Sequence, residues 1–139
     1  MTFRMVAVSA HTASVLNELT ARLDVGESRQ IDRGAGFMAV VVEHLQDGGL
    51  GSFFSVAHYY ESQNDLIADP DIVFLRRPDG SWTPISIQAP LGGYRVVARV
   101  REDGRVEVNG RGQRELVTFA NMWMKNVAAQ QGIKIKRTR

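Results

Sequence analysis

With 139 residues, 44% of them hydrophobic, the chain is long enough to bury a core of its own and too apolar to be disordered. It has no cysteine, which excludes a disulfide framework and thiolate zinc sites and suits a reducing compartment. The formal charge of +2 hides an asymmetry: without the four basic residues of the closing KIKRTR, 13 basic residues stand against 15 acidic ones, so a near-neutral body carries a basic tail.

No apolar run approaches the roughly 20 residues that span a bilayer. The opening MTFRMVAVSAHTAS lacks the pattern of a signal peptide. The expectation is a single cytoplasmic domain over residues 1–133, without membrane contact, and a basic tail over 134–139.

Leu16, Leu19 and Leu23 fall at helical spacing beside Val15 and predict a helix over about residues 9–24, with Ser9 or Thr12 as N-cap. VGESRQIDRGAG, with three glycines, reads as a linker over about 25–36 and leaves open whether that helix docks on the rest. FMAVVVEHL (37–45) is a nearly unbroken apolar run and predicts a strand buried on both faces. After the turn QDGGLG, SFFSVAHYY (52–60) predicts a strand with Phe54, Val56, His58 and Tyr60 on one face. DIVFLRR (71–77) and SWTPISIQ (81–88) flank a PDG turn, and Pro84 marks the second as an edge or bulged strand.

YRVVARVR (94–101) alternates as one strand, EDGR turns into the short VEV (106–108), and NGRG closes the β region. Leu116, Phe119, Ala120, Trp123 and Val127 predict a helix over about 113–131, with Gly132 where a C-terminal cap belongs. The order is helix, five or six strands, helix. Hairpin-length connections make it an α+β fold: a mainly antiparallel sheet over about 37–108, with both helices packed on one face.

FMAVVVEHL, AHYYESQNDLIADPDIVFL, DGSWTPISIQ and LVTFANMWMKNVAAQQG together resemble a family of uncharacterised proteins carried by phages, plasmids and integrative elements. That family's pattern runs hydrophobic-VVEHL, then HYYEQNGDLMxDPxM, then a helix with Phe, Trp and a closing Gln-Gly. The resemblance covers about residues 35–132, with His58, Tyr59, Tyr60, Glu61, Asp65, Asp69, Pro70 and Trp123 as its motif residues. It implies no named activity. What it implies is an accessory or host-interaction protein of a mobile element that binds a protein or nucleoprotein partner; the lack of a convincing catalytic constellation in the residues adds the expectation of no catalysis and no cofactor. Asn64 stands at the pattern's glycine, which fits a left-handed turn position there.

The densest polar stretch is HYYESQNDLIADPD (58–71). His58, Glu61, Asp65 and Asp69 are metal-ligand types, and a divalent cation among them would make a hydrolase or nuclease the rival reading. Their spacing matches no EF-hand loop, and an elaborate connection between two strands explains the same residues. No GxSxG or P-loop is present. Arg95, Arg99 and Arg101 fall on the polar side of the predicted 94–101 strand, followed by Arg105. With Lys134, Lys136 and Arg137 of the tail they form the candidate partner surface, and a sequence-independent nucleic-acid-binding module is a further alternative. Trp123 is expected in the core. Met122 and Met124 cannot both share its face, which leaves a homodimer contact open.

Overall fold

The structure, a computed structural model, describes residues 5–34, 36–101 and 103–135. The first helix, α1 (Ala10–Thr20), starts where expected: the Ser9 hydroxyl accepts the Thr12 N–H at 3.2 Å. It ends earlier than expected. Arg22 takes a positive φ of 61° and turns the chain, while Leu23 still reaches the core. The Arg29 guanidinium donates to the Leu19 carbonyl at 2.9 Å and to that of Ala21, so a cation closes the negative end of the helix.

Arg29 lies on a strand inside the 25–36 segment whose glycines predict a linker. β1 (Ser28–Ile31) pairs antiparallel with β2 (Val40–Gly48). A four-residue edge strand shows too little alternation to stand out from its glycine-rich surroundings. It forms because β2 offers a free edge and Ile31 packs on the core. β2 is also not buried on both faces. Val40, Val42 and His44 are buried, Glu43 and Leu45 are exposed, and Phe37 and Met38 precede the strand altogether.

β3 (Gly51–Ser62), β4 (Asp65–Arg76), β5 (Trp82–Ala89) and β6 (Gly93–Val96) complete a six-stranded antiparallel meander in the order β1-β2-β3-β4-β5-β6. Pro84 sits at a bulge, as expected: Val73 faces Ser86 and Phe74 faces Pro84, which leaves Ile85 as the extra residue.

The predicted 94–101 strand is two strands. β6 pairs with β5, whereas β7 (Ala98–Val100) pairs with β8 (Val106–Val108) in a separate two-stranded sheet. Val97, buried between them, donates its N–H to the Ile85 carbonyl and accepts from Asn109, each at 2.8 Å. The alternation breaks at the switch: Val97 and Ala98 are buried side by side, while Tyr94 and Val100, expected on the apolar side, are exposed. α2 (Gly110–Gln131) begins three residues earlier than expected, because Asn109 caps it by accepting the Gly112 N–H. A Cβ on Gly112 would lie 3.2 Å from the Asn109 side chain and 3.3 Å from Val97, so this glycine belongs to a close approach and not to a turn. Gly132 ends the helix in a left-handed cap, as expected.

Both helices cover the sheet face that carries Val40, Val42, Phe54, Val56, Ile72 and Phe74. α1 docks there: Asn17 accepts the Trp82 indole N–H at 2.9 Å, and the Thr12 hydroxyl donates to Asn121 of α2 at 2.7 Å. Two buried glutamines tie the ends of α2 to the rest. Gln113 accepts the Val6 N–H and donates to Thr83 and Pro84, and Gln131 accepts the Arg33 N–H and donates to the Met38 carbonyl. Among the described residues no helix is long and apolar enough to cross a membrane.

Candidate functional site

The HYYESQNDLIADPD stretch is neither a loop nor a compact site. It is the outer half of the β3–β4 hairpin. Tyr59 faces Ala68, Tyr60 faces Ile67, Glu61 faces Leu66 and Ser62 faces Asp65 around a two-residue turn. Gln63 and Asn64 both take positive φ, 53° and 70°, as such a turn with strand-matching twist requires. The left-handed position expected at Asn64 is therefore present. Pairing of β2 with β3 stops at Val40 and His58, and pairing of β5 with β4 stops at Gln88 and Asp71. Residues 59–68 thus continue past the sheet as a two-stranded ribbon that no other described strand joins.

The ribbon leaves the sheet at a bulge where Asp69 and Pro70, joined by a cis peptide, stand opposite the single residue His58. A cleft of about 450 Å³ opens here, between the bulge, α2 and the segment that enters β2. Phe37, Met38 and Met122 flank it, 47%, 42% and 55% exposed. A second cleft of about 330 Å³ shares Asp69, Pro70 and Phe119 with it and reaches Arg95 and Glu115.

His58 and Trp123 form the wall of the first cleft. Each is about nineteen-twentieths buried, with ring centroids 5.3 Å apart in an edge-on arrangement. Trp123 also stacks on Phe119. Among the described residues, His58 Nε2 and Trp123 Nε1 are buried polar atoms with no hydrogen-bond partner. An unpaired buried donor or acceptor costs about 1–3 kcal/mol. Burial pulls the His58 imidazole below its ordinary pKa and outweighs the Asp69 carboxylate, which pushes the other way. His58 is accordingly neutral at pH 7.

The remaining candidates disperse. Asp71 lies on the opposite sheet face, where it accepts the Ser55 hydroxyl at 2.6 Å and burial raises its pKa. Tyr59 shares that face, and its pKa is raised by burial and then by Asp71 and Glu43. Glu61 and Asp65 sit on the ribbon, away from His58. No three His, Asp or Glu side chains among the described residues could hold one metal ion, so His58, Glu61, Asp65 and Asp69 do not form a cluster.

The arginines are also divided. Arg95 is on β6, Arg99 on β7 and Arg101 beyond it, so they do not share one strand face. Arg101 pairs with Glu107, and Arg105 with Asp103 at 3.5 Å. Lys134 is exposed, and Lys136 and Arg137 lie outside the described residues. Trp123 and Met124 are buried and Met122 is exposed, as the helical spacing required. Sequence reasoning missed Phe37 and Met38, which it placed inside a strand, and the bracing role of Gln131.

The family model described as Domain of unknown function (DUF6908) matches residues 11–133, and the chain belongs to that family. Neither the curated proteins nor the solved structures contain a match to it.

Proposed function

We propose that this chain is a non-catalytic binding protein of a mobile element, acting in the cytoplasm, that docks a protein or nucleoprotein partner at the cleft beside His58 and Trp123. The observation that carries the reading is the pairing of two deeply buried, unpartnered ring nitrogens with a cleft mouth of exposed Phe37, Met38 and Met122. Apolar side chains gathered at a concave surface favour association, and stability given up in unpaired nitrogens behind that surface is typical of a functional site. The mobile-element setting rests on the HYYE…DP resemblance alone.

A protein surface is favoured over bare nucleic acid. Arg101 and Arg105 each face a carboxylate, which leaves less free positive charge for phosphates. The test is affinity capture from a host extract with the full chain, comparing wild type, Met122→Glu and Phe37→Glu. Gln46→Glu serves as control, since it adds the same charge at the far end of the sheet. The expected result is one discrete partner retained by wild type and Gln46→Glu and lost by both cleft variants. Equal capture by all four proteins would sink the reading.

A further inference from the structure

The ribbon supplies the chemistry of the occupant. In a two-residue hairpin the residues flanking the turn, here Ser62 and Asp65, exchange hydrogen bonds with each other. Alternation along β3 then directs the N–H and C=O of Tyr59 and Glu61 away from β4. In the body of the sheet that side of β3 is filled by β2. Beyond His58 it is not, because the chain ahead of Val40 leaves the strand line and the Met38 carbonyl is held by Gln131 at 3.0 Å. The open edge begins beside His58, a lining residue of the cleft.

Charge selects what can lie there. Residues 58–75 include Glu61, Asp65, Asp69 and Asp71 and not one Lys or Arg. Among the described residues none of these four carboxylates is in an ion pair. Two ribbons meeting edge to edge would set like charges against each other, which disfavours a second copy of this chain.

We infer that the partner contributes an extended, cationic segment that adds as a strand to the free β3 edge at Tyr59 and Glu61. Its Lys or Arg side chains lie along the ribbon carboxylates, and one apolar side chain enters the cleft between Met38 and Met122. Main-chain hydrogen bonds supply affinity, while alternate side chains supply selectivity. This rests on the binding function proposed above and adds the class of segment bound.

The experiment selects a displayed library of random ten-residue peptides against the full chain. The best peptide is then titrated into isotope-labelled protein, with amide exchange followed by NMR. Enriched peptides are expected to alternate Lys or Arg with β-branched or aromatic residues. The best of them should slow exchange at the Tyr59 and Glu61 amides. The Glu61→Lys, Asp65→Lys double variant, altered only at exposed positions, should bind at least about tenfold more weakly while keeping its melting temperature. Enrichment without basic residues, unprotected Tyr59 and Glu61 amides, or unchanged affinity in the double variant would each overturn the inference. A peptide that perturbs Met122 and Trp123 yet leaves both ribbon amides unprotected refutes strand addition and leaves the cleft reading standing. No enrichment at all refutes strand addition, and the capture experiment with Met122→Glu judges the cleft reading independently.

Discussion

Replacing His58 by Phe should make the protein more stable. Phenylalanine keeps a planar ring against Trp123 and removes a buried nitrogen that has no hydrogen-bond partner among the described residues. Removing such a group recovers about 1–3 kcal/mol. The slightly larger ring costs up to about 1 kcal/mol of repacking, eased by the open cleft beside it. A net gain of about 1–2 kcal/mol remains. With an unfolding entropy of about 2.1 cal/mol/K per residue, it raises the melting temperature of a chain this size by about 3–7 °C.

The pH dependence supplies a second signature. The folded state holds His58 below its ordinary pKa of 6.5, so the unfolded chain takes up the proton first as pH falls. Wild-type stability is therefore fully present above about 6.5 and declines below it, by at most about 1.4 kcal/mol per pH unit, until the lowered folded pKa is reached. His58→Phe lacks this loss. Calorimetry at pH 7.5 and 5.5 should give a variant that melts higher at both, with the gap wider at the lower pH. A lower melting temperature at pH 7.5 would show that Nε2 is satisfied in the folded protein. A gap that fails to widen would show that His58 is not held neutral. Either result refutes the argument.

Two other substitutions probe how the cleft is braced and, at the far end of the sheet, how tightly the β2–β3 turn is packed. Gln131→Ala leaves the Arg33 N–H and the Met38 carbonyl without their side-chain partner; denaturant unfolding should show a loss of about 1–3 kcal/mol, with faster amide exchange around residues 33–38. Gly51→Ala would drive a Cβ onto the Arg76 carbonyl oxygen at a φ of 134°; the expected loss is about 3 kcal/mol or more, and a melting temperature within a few degrees of wild type would show that the β2–β3 turn relaxes freely.

What the sequence revealed, and what it hid, follows from the range of the interactions involved. α2 and its Gly132 cap, the Pro84 bulge and the left-handed Asn64 are set by local spacing and backbone chemistry, and they were legible. β1 was not, because an edge strand of four residues exists only through its partner. The split at Val97 was not, because the apolar Val96, Val97 and Ala98 in a row fit a continuous strand as well as a change of sheet. The cleft draws on residues 36–38, 58, 69–70 and 119–130, whose nearness is wholly a product of the sheet order.

The polar stretch itself illustrates the limit best. Read along the chain, four carboxylates near a histidine suggest a shared ligand. In the fold, strand alternation sends Asp71 to one face and His58 to the other, and the ribbon carries Glu61 and Asp65 away from both. The presence of Glu61 and Asp65 has a different cause: a hairpin that outruns its neighbours exposes two unpaired edges, and charge on such edges is what prevents indiscriminate strand pairing. Charge of a single sign does not block every strand. It repels another copy of the ribbon and most acidic or neutral segments, and it leaves the edge open to a cationic one. The feature that protects this ribbon from aggregation is thus the same one that would select its partner.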